Sequence, residues 1–298
     1  MNWILLSFGA AFFTAMTTIL AKIGIKDVNS NFATAYRTSI VIICSLVICL
    51  ISESIYAFST LNTKNRIYLV LSGVSTGLSW IFYYKALKLG DVNKVAPIDK
   101  SSFILSSLLF IIFFFDDTTH NGDPLTIGMI ILSIVLMGVG TMLMIDKKKG
   151  TEIKSSLWLL YAILSAIFAS LVSLFTKIGL KGIPSDLGTF IRTIIVFIFA
   201  SAIVLVKKDY KGAKNITQKS WIFLTLSGLA TGGAWLTEYY ALNYVNSNPI
   251  AINAIGKLSI LLTMLFSFFI LKEKFSIKSI VGLGFLVSGI VVVILFSL

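Results

Sequence analysis

Among the ionisable side chains inside the apolar runs of this 298-residue chain, Lys100, Lys257 and Glu238 are the chief candidates for chemistry. A charge placed there is costly in lipid, so it marks a point where a chain holds an ion, a proton or a charged solute. The lysines offer ammonium groups to a carboxylate or phosphate. Glu238 offers a carboxylate that can pair with Lys257 and exchange that pair for a ligand or a proton. Each lysine sits roughly 10–12 Å from the nearest end of its run at the helical rise, a depth at which snorkelling toward the headgroups is the plain alternative. Aromatic residues accompany them, with Trp80, Tyr83 and Tyr84 in one run and Trp235 and Tyr239 in another. Their faces can hold a cation or an apolar group, although Trp and Tyr also gather at membrane–water boundaries.

Hydrolytic and metal chemistry lack their residues. His120 is the only histidine, and the only cysteines, Cys44 and Cys49, share one apolar run. There is no His-Glu-x-x-His, no Gly-x-Ser-x-Gly and no glycine-rich phosphate loop. We therefore expect no enzyme, no metal and no cofactor. The net charge of +12 is scattered between apolar stretches, which excludes the single basic face that nucleic acid requires.

The elements that must carry these residues are long. Hydrophobic residues make up 57% of the chain and charged ones 13%, about half the charge of a soluble domain. Ten runs approach the roughly 20 apolar residues that a membrane helix needs: 3–21, 32–51, 67–87, 92–115, 125–145, 157–175, 187–206, 221–242, 250–271 and 277–298. Short alternating segments of the barrel type are absent. The expected fold is all-α, a polytopic membrane protein of ten spans.

The chain repeats itself. A shift of 155 aligns Lys22-Ile23-Gly24 with Lys177-Ile178-Gly179, Arg37-Thr38 with Arg192-Thr193, Leu71-Ser72-Gly73 with Leu226-Ser227-Gly228, and Trp80 with Trp235. A shift of 157 then pairs Lys100 with Lys257, while Glu238 meets Tyr83 at the first shift. Residues 1–146 and 155–298 are thus two copies joined by 147–154. Each copy holds five spans, an odd number, so the second enters the membrane inverted. Charge agrees with this. Seventeen basic residues lie in the connections after spans 1, 3, 5, 7 and 9, against Lys64, Arg66, Lys177 and Lys181 on the other side. The positive-inside rule makes the lysine-rich side cytoplasmic and leaves both termini outside.

Within the spans, Arg37 and Arg192 are expected to snorkel. Thr17, Ser165 and Ser170 either line a cavity or join neighbouring helices. Asp99, next to Lys100, is a second acid of the same kind as Glu238. Pro97 and Pro249 mark helix entries.

The Lys-Ile-Gly-x-Lys stretch after each first span, the Arg-Thr pair, the Leu-Ser-Gly-x-x-Thr-Gly-x-x-Trp spans and the Pro97-Ile98-Asp99-Lys100 turn together resemble the EamA branch of the drug/metabolite transporter superfamily. The resemblance covers essentially the whole chain. It implies a ten-helix basket around a central cavity, lined mainly by spans 1, 3, 4, 6, 8 and 9, which puts the three charges and the five aromatics on cavity walls. In relatives of this kind the termini are held to be cytoplasmic, opposite to the lysine count followed above. Inverted halves support alternating access around a midplane site. The expected function is a secondary transporter of the cell membrane that exports a small metabolite, an amino acid or related organic solute, with coupling to protons or another solute. A lipid or lipid-linked-sugar translocase and a channel-like pore stay open as alternatives. The expected partners are membrane lipid and the solute alone, with a functional monomer.

Overall fold

The computed structural model describes residues 2–25, 28–89, 95, 98, 99, 101–119, 122–144, 157–211, 216–272 and 275–296, the side chains of Tyr84, Leu87, Lys88 and Leu271 aside. Helix is the only regular structure among them: α1 (Asn2–Gly24), α2 (Ser30–Ile51), α3 (Thr63–Leu89), α4 (Ser102–Phe113), α5 (Phe115–Thr119), α6 (Pro124–Leu143), α7 (Leu157–Gly179), α8 (Ser185–Lys207), α9 (Gln218–Asn243), α10 (Pro249–Gly256), α11 (Leu258–Leu271) and α12 (Ile277–Leu295), with a 3₁₀ helix at Ser54–Thr60. Polar side chains start several of them. Asp123 accepts from the Thr126 N–H at 2.8 Å, and Asn248 from Ile250 and Ala251 at 3.0 and 3.2 Å. Each satisfies backbone donors that have no partner inside their helix.

Among the described residues, seven helical stretches are long and apolar enough to cross a membrane: α1, α2, α6, α7, α8, the joined α10–α11 stretch, and α12. Helices α3 and α9 are longer, at 27 and 26 residues, but more polar. Their hydroxyls turn inward, with Ser72, Ser75, Thr76 and Ser79 of α3 and Ser220 and Ser227 of α9 all buried. Large apolar side chains such as Leu5, Ile112, Phe269 and Ile280 stand exposed instead. A soluble protein rarely exposes so much apolar surface, whereas lipid accepts it and requires the closed backbone that helices provide. The chain is a multi-pass membrane protein.

Two expected spans are not continuous. The fourth was read as unbroken over 92–115, but its described part turns at Ser101, whose N–H bonds to the Ile98 carbonyl at 3.1 Å. It stops again at Phe114, where the backbone leaves helical values (φ −136°, ψ 47°). The ninth breaks at Lys257, whose N–H reaches back three residues to Ala254 at 2.9 Å. Gly256 immediately precedes that turn, and glycine is a poor helix former.

The chain divides into two compact units. The first comprises 1–74, 175–245 and 258–272, and the second 75–174, 246–257 and 273–298. Within the first, the two sequence copies meet reciprocally. A Cβ at Gly73 would lie 2.6 Å from the Ile195 Cβ, and one at Gly228 would lie 2.8 Å from the Ile40 Cβ. Gly24 likewise approaches Leu224, and Gly179 approaches Leu69, at 3.0 and 3.1 Å. Each contact is the other's image under the 155-residue shift, the pattern that a two-fold axis imposes on an interface. Within the second unit α6 packs on α12 through glycines, since a Cβ at Gly140 would stand 2.5 Å from the Gly282 carbonyl oxygen.

These contacts set an expected result. Gly228→Ala drives a methyl into the Ile40 side chain, and the overpacking should cost about 1–3 kcal/mol. Gly284, with no described atom within 4 Å of its would-be Cβ, is the control. Thermal unfolding in detergent should show a lower midpoint for Gly228→Ala and Gly73→Ala, and none for Gly284→Ala.

Candidate functional site

Among the described residues of the first unit two charged side chains are buried, Asp186, which accepts from Ser54 Oγ at 2.7 Å, and Arg192. Arg192 was expected to snorkel, but it is 4% exposed. Its Nε donates to Ser72 Oγ at 2.9 Å, and Ser72 shares a 2.6 Å hydrogen bond with Thr176. The guanidinium carbon lies 4.8 Å from the Trp235 ring centroid and 5.6 Å from that of Tyr239. The physical reason is local. A planar, weakly hydrated guanidinium stacks on aromatic faces and keeps a donor for a hydroxyl, so burial among these groups competes well with a stretch to the membrane surface.

Arg37 makes the corresponding junction less deeply. Its Nη2 donates to Thr231 at 3.0 Å, and Thr231 lies 3.3 Å from Thr17. In both cases a second-span arginine reaches a hydroxyl on the third span of the other copy, which meets a hydroxyl on a first span. Thr17 therefore joins helices. Trp235 and Glu238 are both half-buried on α9, three residues apart and so on one face. Tyr239 is 3% exposed.

In the second unit Lys257 ends α10, at the break. Its ammonium lies 5.6 Å from the Phe103 ring centroid on α4. One turn earlier, Asn253 donates to Ser106 Oγ at 2.7 Å. At the other end of α10, the Asn248 side-chain amide donates to the Thr118 carbonyl at 3.2 Å. Residues 249–252, 254 and 255 of this short helix are all buried, so α10 is fixed and the break beside it is held in place. At Gly256 no described atom lies within 4 Å of where a Cβ would stand. Lys257 follows Gly256 at the helix interruption, its ammonium against the Phe103 ring. The C-terminal end of a helix carries partial negative charge and favours a cation, and an interruption inside a membrane is tolerated where it is buried in protein or lines a cavity.

Asp99 is placed by hydrogen bonding to α7: Ser165 Oγ donates to its Oδ1 at 2.8 Å and lies 3.1 Å from the Ser79 carbonyl oxygen. Ser165 thus joins helices, whereas Ser170 bonds within its own helix to Ile167 at 2.7 Å. Trp80 is half-buried on α3. Tyr83, also on α3, packs against the buried cluster of Ala86, Val95 and Ala162. Lys100, Pro97, His120 and the Tyr84 side chain lie outside the described residues. Pro249 opens α10 as its first residue. Glu238 belongs to the first unit and Lys257 to the second, and each is described in its own surroundings.

The model of the EamA-like transporter family matches this chain twice, over residues 1–139 and 156–295. The chain belongs to the EamA-like transporter family. The two matches are its two EamA repeats. A Sinorhizobium sp protein described as an uncharacterized transporter in the cobO 3' region is 35% identical over 142 residues, which is 48% of this chain and 99% of the relative. A protein of known crystal structure shares the fold, with a TM-score of 0.75 at 15% identity over 99% of this chain and 98% of that one. These findings point to a membrane transporter rather than an enzyme.

Two residues, one in each unit, escaped sequence reading in these roles. Asn253 is one polar side chain among Ile250, Ala251, Ile252, Ala254 and Ile255; a lone amide in such a run is the usual sign of an interhelical hydrogen bond. For Arg192 the signal was the Trp235/Tyr239 pair, four residues apart on one helix face and of the right chemistry to hold a guanidinium. Asn253→Ala should lower stability by about 1 kcal/mol. Ser106→Ala should do the same, and the double variant should lose little more than either. Detergent melting curves of the four proteins check this.

Proposed function

We propose that this EamA protein is a secondary transporter that moves a small organic solute with a carboxylate or phosphate group, an amino acid or related metabolite, outward across the cytoplasmic membrane. In this reading ten spans form two inverted halves that exchange conformations around a midplane site. The observation that carries it is Lys257: an ammonium within an apolar segment, at a helix break and against the Phe103 ring. In the second unit Trp80 and Tyr83 on α3 are the aromatic candidates beside this role, and Lys100 repeats the Lys257 position in the sequence; in the first unit Trp235, Tyr239 and Glu238 on α9 are the aromatic and acidic candidates. Glu238, or Asp99 with its Ser165 donor, accepts the proton in a coupled cycle. The unit of function is a monomer.

Uptake and efflux by the reconstituted protein against a panel of metabolites test this reading. Wild-type flux of an anionic or zwitterionic solute that falls in Lys257→Ala and in Glu238→Gln supports it. Flux unaffected by either substitution removes these residues from the path. Movement of fluorescent lipid with no solute flux replaces the solute by an amphiphile. In this reading the seventeen basic residues on one side lie in the cytoplasm and both termini outside, as the positive-inside rule favours. A reporter active only in the cytoplasm, fused after Leu298, is expected to be silent; an active fusion reverses the orientation.

A further inference from the structure

The two copies build the same backbone device at the end of their second spans and decorate it with opposite charge. At the end of α8, Lys208 adopts the left-handed conformation (φ 58°) and its N–H returns to the Leu205 and Val204 carbonyls. The Lys211 N–H then bonds to the Lys208 carbonyl at 3.3 Å. At the equivalent position after α2, Glu53 is left-handed (φ 55°) and the Tyr56 N–H bonds to its carbonyl at 3.2 Å. Lys207, Lys208 and Lys211 therefore stand where Ser52, Glu53 and Tyr56 stand in the other copy. The turn itself does not require lysine.

The lysine-bearing turn is held down on its own terms. Asp209 accepts from the Asn29 and Asn31 side chains at 3.0 and 2.7 Å, which ties the turn to the start of α2. Lys207, Lys208 and Lys211 are exposed, and so is Lys219 at the start of α9. Leu205 and Val206, immediately before them, are 65% and 83% exposed, so the apolar–charged boundary falls at one residue step. Trp221, 4.7 Å from Tyr36 and 6.1 Å from Phe32 between ring centroids, marks the same end with an aromatic belt of the kind found at headgroup level.

We infer that the Lys207–Lys211 turn is a built site for the phosphodiester headgroup of an anionic phospholipid, with Asp209 tying to α2 the backbone that carries Lys207, Lys208 and Lys211. Orientation during insertion needs only charge in this connection; it does not need Asp209 anchored by two asparagines. The inference rests on the membrane assignment and is independent of the transported solute.

The test uses vesicles of phosphatidylcholine carrying brominated phosphatidylglycerol, or brominated phosphatidylcholine in the same amount. The readout is quenching of Trp221 in protein whose other tryptophans are phenylalanine. Thermal stabilisation of the unmodified protein by each lipid in detergent gives a second measurement. A lysine near an anionic surface is worth about five-fold in affinity, so the parent should prefer phosphatidylglycerol at least about tenfold. The Lys207→Gln/Lys208→Gln/Lys211→Gln variant should lose that preference. Asp209→Ala decides between a site and plain net charge. It adds positive charge, so unstructured attraction would strengthen the preference, whereas a built turn loses it. A parent with no preference, a triple variant that keeps it, a strengthened Asp209→Ala, or equal stabilisation by millimolar inorganic phosphate without the lipid each overturns the assignment.

Discussion

Replacing Lys257 with alanine is expected to reduce solute flux in proteoliposomes by about ten- to a hundred-fold, the loss that goes with removing one charged hydrogen bond to a ligand. The expectation follows from position. Lys257 terminates α10 at a break in its span, and Gly256 beside it opens on space. α10, capped by Asn248 and tied to α4 through Asn253, holds the residue that carries the ammonium, which lies against the Phe103 ring. Lys257→Arg should retain part of the flux, because the charge persists while its shape and hydrogen bonding change. Lys22→Ala, exposed at the end of α1, should transport like the parent. A Lys257→Ala protein with normal flux, folded by its melting curve, would remove the residue from the solute path.

The second large effect is on the fold. Arg192→Ala is expected to lower stability by at least about 2–3 kcal/mol, from a desolvated cation–aromatic contact and a buried serine deprived of its donor. Arg192→Lys should fail to restore it, since a compact ammonium cannot lie across the Trp235 ring and reach Ser72 together as the guanidinium does. Arg37→Ala should cost about 1 kcal/mol, as for a hydrogen bond in a part-exposed place. Melting midpoints in detergent give the three values. The emission of Trp235 gives a reading specific to the ring, which should shift in Arg192→Ala and hold in Arg37→Ala. Equal midpoints for the two arginine variants would return Arg192 to the snorkelling role first expected of it.

The class of fold was legible because lipid imposes one strong rule: apolar runs of sufficient length become helices. The repeat was legible because Trp, Arg and Lys recur in register, which apolar composition alone does not produce. Breaks were not. Ser101 and Lys257 sit in sequences apolar enough to continue as helix; at Lys257 the weak helix former Gly256 precedes the break, and α10 is tied to its neighbours by side-chain hydrogen bonds from Asn248 and Asn253 that the sequence alone does not show. The site was half legible. Lys257 stands out by charge alone. Arg192 was misjudged because depth in a run says nothing of which neighbours the side chain finds, and Trp235 and Tyr239 come from a helix more than forty residues further along the chain. Charge also proved separable from backbone. Glu53 and Lys208 share one left-handed turn at equivalent positions, so the side chain there answers to surroundings outside the fold.

Solute counterflow addresses the central claim most directly. Proteoliposomes are loaded with an unlabelled solute that the protein moves, then diluted into a trace of the same solute labelled. A transporter that presents its site to one side at a time carries label inward in exchange for unlabelled solute, so label should rise transiently above its equilibrium level and then decay. Lys257→Ala should show no overshoot. Label that only climbs to equilibrium, at a rate indifferent to the internal load, would describe a pore and contradict alternating access.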